Sequence, residues 1–190
     1  MRLIDPATER NFATGEPWGA AARLMQTIIR PKDRVIAIDA GPGILPALAA
    51  RLGAKRVIAF DPDYANTRMT QHIFQANDLK GEVLHGRVGR PEHSREMARS
   101  RALMPGLPAP NHDLSLILEE ERISLMILPA EYGEISLMRH LPPKVTRIVL
   151  CTSANAAPAV DLMMLTLIGS GFSFDAALSG TGALLFRRIR

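Results

Sequence analysis

The chain predicts an α/β fold, a doubly wound, mostly parallel seven-stranded sheet that ends in a C-terminal antiparallel hairpin. Three observations carry that prediction. Residues 34–63, RVIAIDAGPGILPALAARLGAKRVIAFDPD, state a strand, a glycine turn, a helix and a second strand in one continuous stretch. Further apolar runs at 82–85, 124–128 and 147–151 alternate with helical patterns, as crossover-connected parallel strands do. Two last apolar runs, 172–178 and 183–189, are joined by Ser179-Gly180-Thr181-Gly182, a hairpin connection that makes the closing pair antiparallel.

The elements follow in order within a single domain spanning 1–190. Residues 1–17 show little periodicity and carry Gly15-Glu16-Pro17, so they read as an arm. From 18 to 29 the apolar residues Trp18, Ala21, Leu24, Met25, Ile28 and Ile29 mark one face of a helix that covers the sheet, which makes 1–33 arm and covering helix. Pro31-Lys32-Asp33 breaks it. The first strand, 35–38, stops at Asp39 and Gly41-Pro42-Gly43, and the next helix holds Pro46 in its first turn, where a missing N–H costs nothing, and stops at Gly53. A second strand, 57–60, ends on Asp61. Asp63 is the expected N-cap of a helix over 64–76 with Asn77 as its stop, and a third strand ends at Gly86. Residues 90–112 read as an irregular loop insertion: 91–103 is polar and suits a short helix, while 104–112 holds three prolines and reads as irregular. A short acidic helix at 114–121 precedes the fourth strand. After it a helix through Arg139 is expected to place Glu131 and Glu134, three apart, on one face near the sheet's carboxyl edge. A fifth strand and a helix over 157–170 lead into the hairpin.

Composition narrows the class. With 190 residues, 47% apolar and 22% charged, the chain is neither disordered nor fibrous. Its apolar runs are too short to span a bilayer, and its first residues lack the basic-then-apolar form of a signal peptide, so no membrane is expected. The lone Cys151 suits a reducing, cytoplasmic home. A net charge of +4 invites nucleic acid, but the basic residues are scattered, with clusters at 87–101 and 187–190, and two Tyr and one Trp offer little stacking surface. Nucleic acid is therefore the lesser expectation. His85 reads as a strand-end histidine rather than a base, and no metal site is expected, because no second His, Cys or carboxylate stands at ligand spacing around it.

The glycine turn carries the chemistry. A dinucleotide cradle is written Gly-x-Gly-x-x-Gly, and its third position here is Pro46. A nucleoside cofactor without phosphates, such as S-adenosylmethionine, needs only a close backbone approach, an acid at the turn and a second acid about 20 residues on for the ribose. Asp39, Gly41, Gly43 and Asp61 supply these. With the hairpin ending, they describe a class I methyltransferase, Rossmann-like architecture better than half of a dehydrogenase.

From Val35 onward the chain resembles the FkbM-type S-adenosylmethionine-dependent methyltransferases. Ile36-Ala37-Ile38-Asp39-Ala40-Gly41 is similar to the family's first motif, with Leu45 at its later glycine position, and Ala59-Phe60-Asp61-Pro62-Asp63-Tyr64-Ala65-Asn66 to its second. Asn77-Asp78-Leu79 resembles its Asn-Gly-Leu, and Leu114 to Glu121 followed by a strand and Glu131 resembles its leucine-rich helix before Lys-x-Asp-x-Glu-Gly-x-Glu. The resemblance implies O-methylation of a small-molecule or sugar-like acceptor. It implies cofactor contacts at Asp39, Gly41, Gly43 and Ile44, ribose hydroxyls on Asp61, adenine bordered by Pro62 and Arg87, and Glu131 or Glu134 orienting the acceptor or taking its proton. Trp18 and the proline-rich loop would close the site. The Lys-x-Asp of the family is Ile127-Leu128-Pro129 here, and proline supplies neither acid nor base. That departure leaves a non-catalytic S-adenosylmethionine-binding relative as an alternative, beside an RNA methyltransferase that uses the basic loop. The oligomeric state stays open, a homodimer included.

Overall fold

The computed structural model describes residues 18–90, 109–153 and 156–189. The arm at 1–17, the expected short helix at 91–103 and the first part of the proline-rich loop lie outside the described residues. Helix α1 (Trp18–Ile28) leads to β1 (Arg34–Ile38), α2 (Ile44–Arg51), β2 (Arg56–Asp61), α3 (Tyr64–Ala76), β3 (Glu82–His85), β4 (Arg87–Gly89) and β5 (Asn111–Asp113). Helix α4 (Leu114–Glu120), β6 (Leu125–Pro129), a 3₁₀ helix (Ile135–His140), β7 (Arg147–Cys151), α5 (Ala157–Gly169), β8 (Phe172–Phe174) and β9 (Ala183–Arg188) complete the elements of the described residues. Seven of these strands form one sheet in the order β3-β2-β1-β6-β7-β9-β8. All neighbours are parallel except β9, which runs antiparallel to both β7 and β8.

Strand alternation decides what covers each face. In β1 and β2 the residues Val35, Ala37, Val57 and Ala59 turn toward Ala21, Leu24 and Met25 of α1 and Ala47 and Ala49 of α2. Small side chains on both partners let these helices lie close to the sheet. Ile36, Ile38, Ile58 and Phe60 point the other way, into a cluster with Leu114, Leu118, Met163 and Phe186. Buried on both faces, these strands carry no polar alternation, which is why they read as unbroken apolar runs.

The chain departs from its sequence reading in three places. Asn111–Asp113 is not irregular: it forms a parallel ladder with Arg87–Gly89. Proline lacks only a donor, and the Pro110 carbonyl accepts from Arg87 N–H at 2.8 Å to start that ladder. No α-helix begins at Glu131; residues 130–134 turn irregularly, and the helix that follows is 3₁₀ and starts at Ile135. Strand β8 stops at Phe174 because Asp175 turns the chain, accepting from Leu178 N–H at 3.2 Å and pairing with Arg187 Nε at 2.7 Å. Among the described residues no helix is long and apolar enough to cross a membrane.

Candidate cofactor and acceptor site

The site is built where β1 and β2 end. Asp39, Gly41 and Gly43 all have positive φ, at 50°, 57° and 81°, so the backbone doubles back over the sheet's carboxyl edge before α2 starts. Gly43 is required twice over. Its φ disfavours a side chain, and a Cβ there would stand 2.4 Å from Thr70 Oγ1 and Cγ2 of α3. Gly43→Ala is expected to cost about 2 kcal/mol and to lower Tm by roughly 4–8 °C, read by calorimetry.

Asp61 holds the turn from the neighbouring strand. Its Oδ2 accepts from Gly41 N–H at 2.7 Å, and its Oδ1 accepts from Asp63 N–H at 2.8 Å and the Asn66 amide at 3.2 Å. Thr70 Oγ1 lies 3.3 Å from the Gly41 carbonyl and 2.9 Å from that of Asn66. Gly41 is therefore gripped at both its N–H and its C=O. With three donors already on its oxygens, the Asp61 carboxylate keeps one acceptor position for a hydroxyl. Asp63 caps α3 as expected, accepting from Ala65 N–H at 2.7 Å.

Two carboxylates at close quarters set the electrostatics. Burial pushes the Asp39 carboxyl up, the charge of Asp61 adds to the push, and Arg87 pulls part of it back. The Asp61 carboxyl is also raised, by burial first, against the hydrogen bonds from Asp63, Gly41 and Asn66. Both groups thus pay for being ionised in the fold. Their folded pKa values lie above the ordinary carboxylate value, so the stability they lend is present below that ordinary value and lost as pH rises through the raised ones.

The structure separates the two glutamates that the sequence placed together. Without a helix they share no face. Glu131 is exposed and accepts from Ser153 Oγ at 3.0 Å, beyond the end of β7. Its charge and, above all, burial push the Cys151 thiol up to about 12. Glu134 instead lies beside Gly89, where a Cβ would meet its side chain at 3.2 Å. Between them Tyr132 is buried and donates from its hydroxyl to the Val88 carbonyl at 2.8 Å, tying the loop after β6 to β4. Burial raises its phenol, and the charges of Glu134 and Asp39 raise it further. Asp39, Asp61, Arg87, Tyr132 and Glu134 therefore stand within electrostatic reach of one another at the sheet's carboxyl edge, where the strand order reverses between β1 and β6, the place where sheets of this kind hold ligands in a crevice.

Ile44 opens α2 directly after the glycine turn and is partly buried. Pro62 follows Asp61, and its carbonyl lies 3.1 Å from His85 Nε2, while the His85 ring meets Tyr64 edge-on. His85 thus has a packing role. Tyr132 and Thr70 were not singled out by sequence reasoning. A buried tyrosine in a turn and a threonine mid-helix show no period of their own, and only the close approach of Gly43 to α3 reveals the latter. Among the described residues no group of His, Cys, Asp and Glu is arranged to hold a metal.

The strand order and the glycine turn define the class I methyltransferase fold, whose cofactor is S-adenosylmethionine. The particular likeness is to one branch of it. Residues 19–97 match the family model Ribosomal protein L11 methyltransferase (PrmA). The ribosomal protein L11 methyltransferase of Alkaliphilus metalliredigens is 38% identical over 87 residues, 45% of this chain and 27% of that protein. The chain thus spans only about a quarter of the length of the curated relatives it matches. Among solved structures, a ribosomal protein L11 methylase from Lactobacillus delbrueckii subsp. bulgaricus superposes with a TM-score of 0.56 at 16% identity, over 90% of this chain and 78% of that one. An rRNA methylase from Streptococcus thermophilus gives 0.56 at 15% identity, over 92% and 98%. These likenesses support the class I methyltransferase fold and do not support the FkbM-type branch within it.

Proposed function

We propose that the chain is an S-adenosylmethionine-dependent methyltransferase acting on a macromolecule of the translation apparatus, in the cytoplasm. The observation that carries it is the Asp61 carboxylate, which fixes Gly41 and keeps one acceptor position at the crevice. The donor set suits the cofactor: Asp61 would take a ribose hydroxyl, the carboxylates of Asp39 and Glu134 would favour a cationic group, and Pro62 and Arg87 would border the adenine. When bound, the cofactor supplies an electrophilic methyl group on a sulfonium. The chain's part is to orient the acceptor atom, exclude water and take up its proton. The last is assigned to Glu134 in preference to Glu131, which accepts from Ser153 Oγ.

The macromolecular acceptor is favoured by the relatives, which are named for ribosomal protein L11 and rRNA. The FkbM-type reading, with a sugar-like acceptor, rests on sequence motifs alone, those at 36–41, 59–66, 77–79 and 114–121 with Glu131. The test is transfer of labelled methyl groups to ribosomal protein, rRNA and tRNA fractions, with simple sugars as the competing arm. Label in sugars only would sink the macromolecular reading. Pro129 favours one second reading, a cofactor-binding relative without turnover, which tight cofactor binding with no label in any fraction would select.

The carboxylate pair adds a pH prediction. A cationic ligand favours ionised Asp39 and Asp61, so affinity for S-adenosylmethionine is expected to fall as pH drops through their raised pKa values. S-adenosylhomocysteine, one positive charge poorer, is expected to fall less. Calorimetric titration of both across pH, with Asp39→Asn flattening the difference, checks it; equal pH dependence for the two ligands would remove the carboxylates from cation recognition.

A further inference from the structure

Helix α5, APAVDLMMLTLIG, has one charged residue in its 13 and is apolar almost all round, yet the fold covers only one side of it. Met163, Thr166 and Leu167 are buried, whereas Leu162, Leu165 and Ile168 are 54%, 70% and 50% exposed. A helix apolar on every side ordinarily belongs in an interior. Exposed aliphatics three residues apart form one stripe, the anchor pattern of a helix that docks. The stripe borders a groove of about 320 Å³ lined by Arg139, Leu162, Leu165, Thr166, Gly169 and Ser170.

We infer that this face is a homodimer interface, in which α5 of one copy packs antiparallel on α5 of the other about a two-fold axis at Leu165. Charge placement commits it to a second copy. Asp161 is exposed one turn before Leu165, and Arg139 lines the groove alongside the helix's C-terminal half. Neither is in an ion pair among the described residues. At 1.5 Å rise per residue, Asp161 and Gly169 stand about 6 Å on either side of Leu165. An antiparallel partner therefore sets each Asp161 opposite the partner's Gly169, beside the partner's Arg139. The pair occurs twice, as a self-complementary interface requires. Gly169 leaves open space where a Cβ would stand, so the helix ends can approach. The 3₁₀ helix that supplies Arg139 starts next to Glu134, so one short helix joins the dimer face to the residue assigned to the acceptor.

Sedimentation equilibrium of the full chain across the micromolar range tests this. The expected mass is twice 20.8 kDa. Leu165→Glu is expected to weaken the dimer about a hundredfold, with the far-ultraviolet circular dichroism of the folded chain unchanged because the side chain is exposed. Asp161→Arg and Arg139→Glu are each expected to weaken it about tenfold, and the double reversal to restore it. A monomeric wild type overturns the proposal, whatever else then covers the face. So does a dimer indifferent to Leu165→Glu, or a double reversal that adds to the singles instead of rescuing them.

Discussion

Asp61→Ala is expected to weaken S-adenosylhomocysteine binding about a hundredfold, or roughly 2.7 kcal/mol, while the chain stays folded. The substitution acts twice on the crevice. It removes the acceptor position left for a ribose hydroxyl, and it releases Gly41 N–H from its 2.7 Å bond, so that the turn loses its register. Stability is expected to change less than binding, because the buried carboxylate is itself costly to ionise and its removal relieves that cost. Asp61→Asn separates the two effects. An amide keeps the shape but turns an NH2 group toward either Gly41 N–H or the Asp63 and Asn66 donors, so a smaller loss of about tenfold is expected. Asp63→Ala is the control: it removes the cap of α3, worth about 1 kcal/mol, and leaves the Asp63 N–H to donate to Asp61 as before. Calorimetric titration of the three variants decides the matter. Unchanged affinity in a folded Asp61→Ala chain would make the glycine turn architectural.

The readable part of this protein is the part whose physics is local. A strand buried on both faces has to be an apolar run, a turn that doubles back needs glycine, and Asp63 caps the helix that begins one residue later. These constraints act within a few residues, so β1 to β3, α2 and α3 were legible, whereas the bond from Gly41 N–H to Asp61 crosses two strands and was not. The glutamates were not. A spacing of three puts Glu131 and Glu134 on one face only if the chain between them is helical, and the conformation of residues 130–134 is set from outside by the Tyr132 hydroxyl on the Val88 carbonyl. The same holds for β5, whose partner strand is distant in sequence. Contacts between segments far apart in sequence leave no period to count.

The second large expected effect lies at the opposite, amino edge of the sheet, where Asp33 had read only as part of a helix-breaking tripeptide. Asp33→Ala or Arg147→Ala is expected to destabilise the fold by about 3–5 kcal/mol, a fall in Tm on the order of 10 °C. The two side chains form a salt bridge and are only 5% and 8% exposed. Arg147 also donates to the Ile28 carbonyl at 2.6 Å, which fastens the end of α1 to β7. Asp33 accepts from Arg30 N–H at 2.7 Å and Ser124 Oγ at 3.1 Å, and its own carbonyl receives Lys55 N–H at 2.8 Å. One residue thus joins the entries to β1, β2, β6 and β7, by its carboxylate and its carbonyl, and either truncation strands a buried charge among these groups. By contrast, Glu121, which bridges Arg34 and Arg56 nearby, is 30% exposed, and its loss is expected to cost at most about 1 kcal/mol. The double truncation at Asp33 and Arg147 is expected to cost less than the sum of the singles, since it leaves no unpaired charge, and denaturant melts of the three variants read that coupling. Additive losses would mean that the two residues act separately. Because the clamp lies across the sheet from the crevice, ligand affinity of the folded variants is expected to match the wild type, so a drop in affinity beside the drop in stability would mean the amino edge also shapes the site.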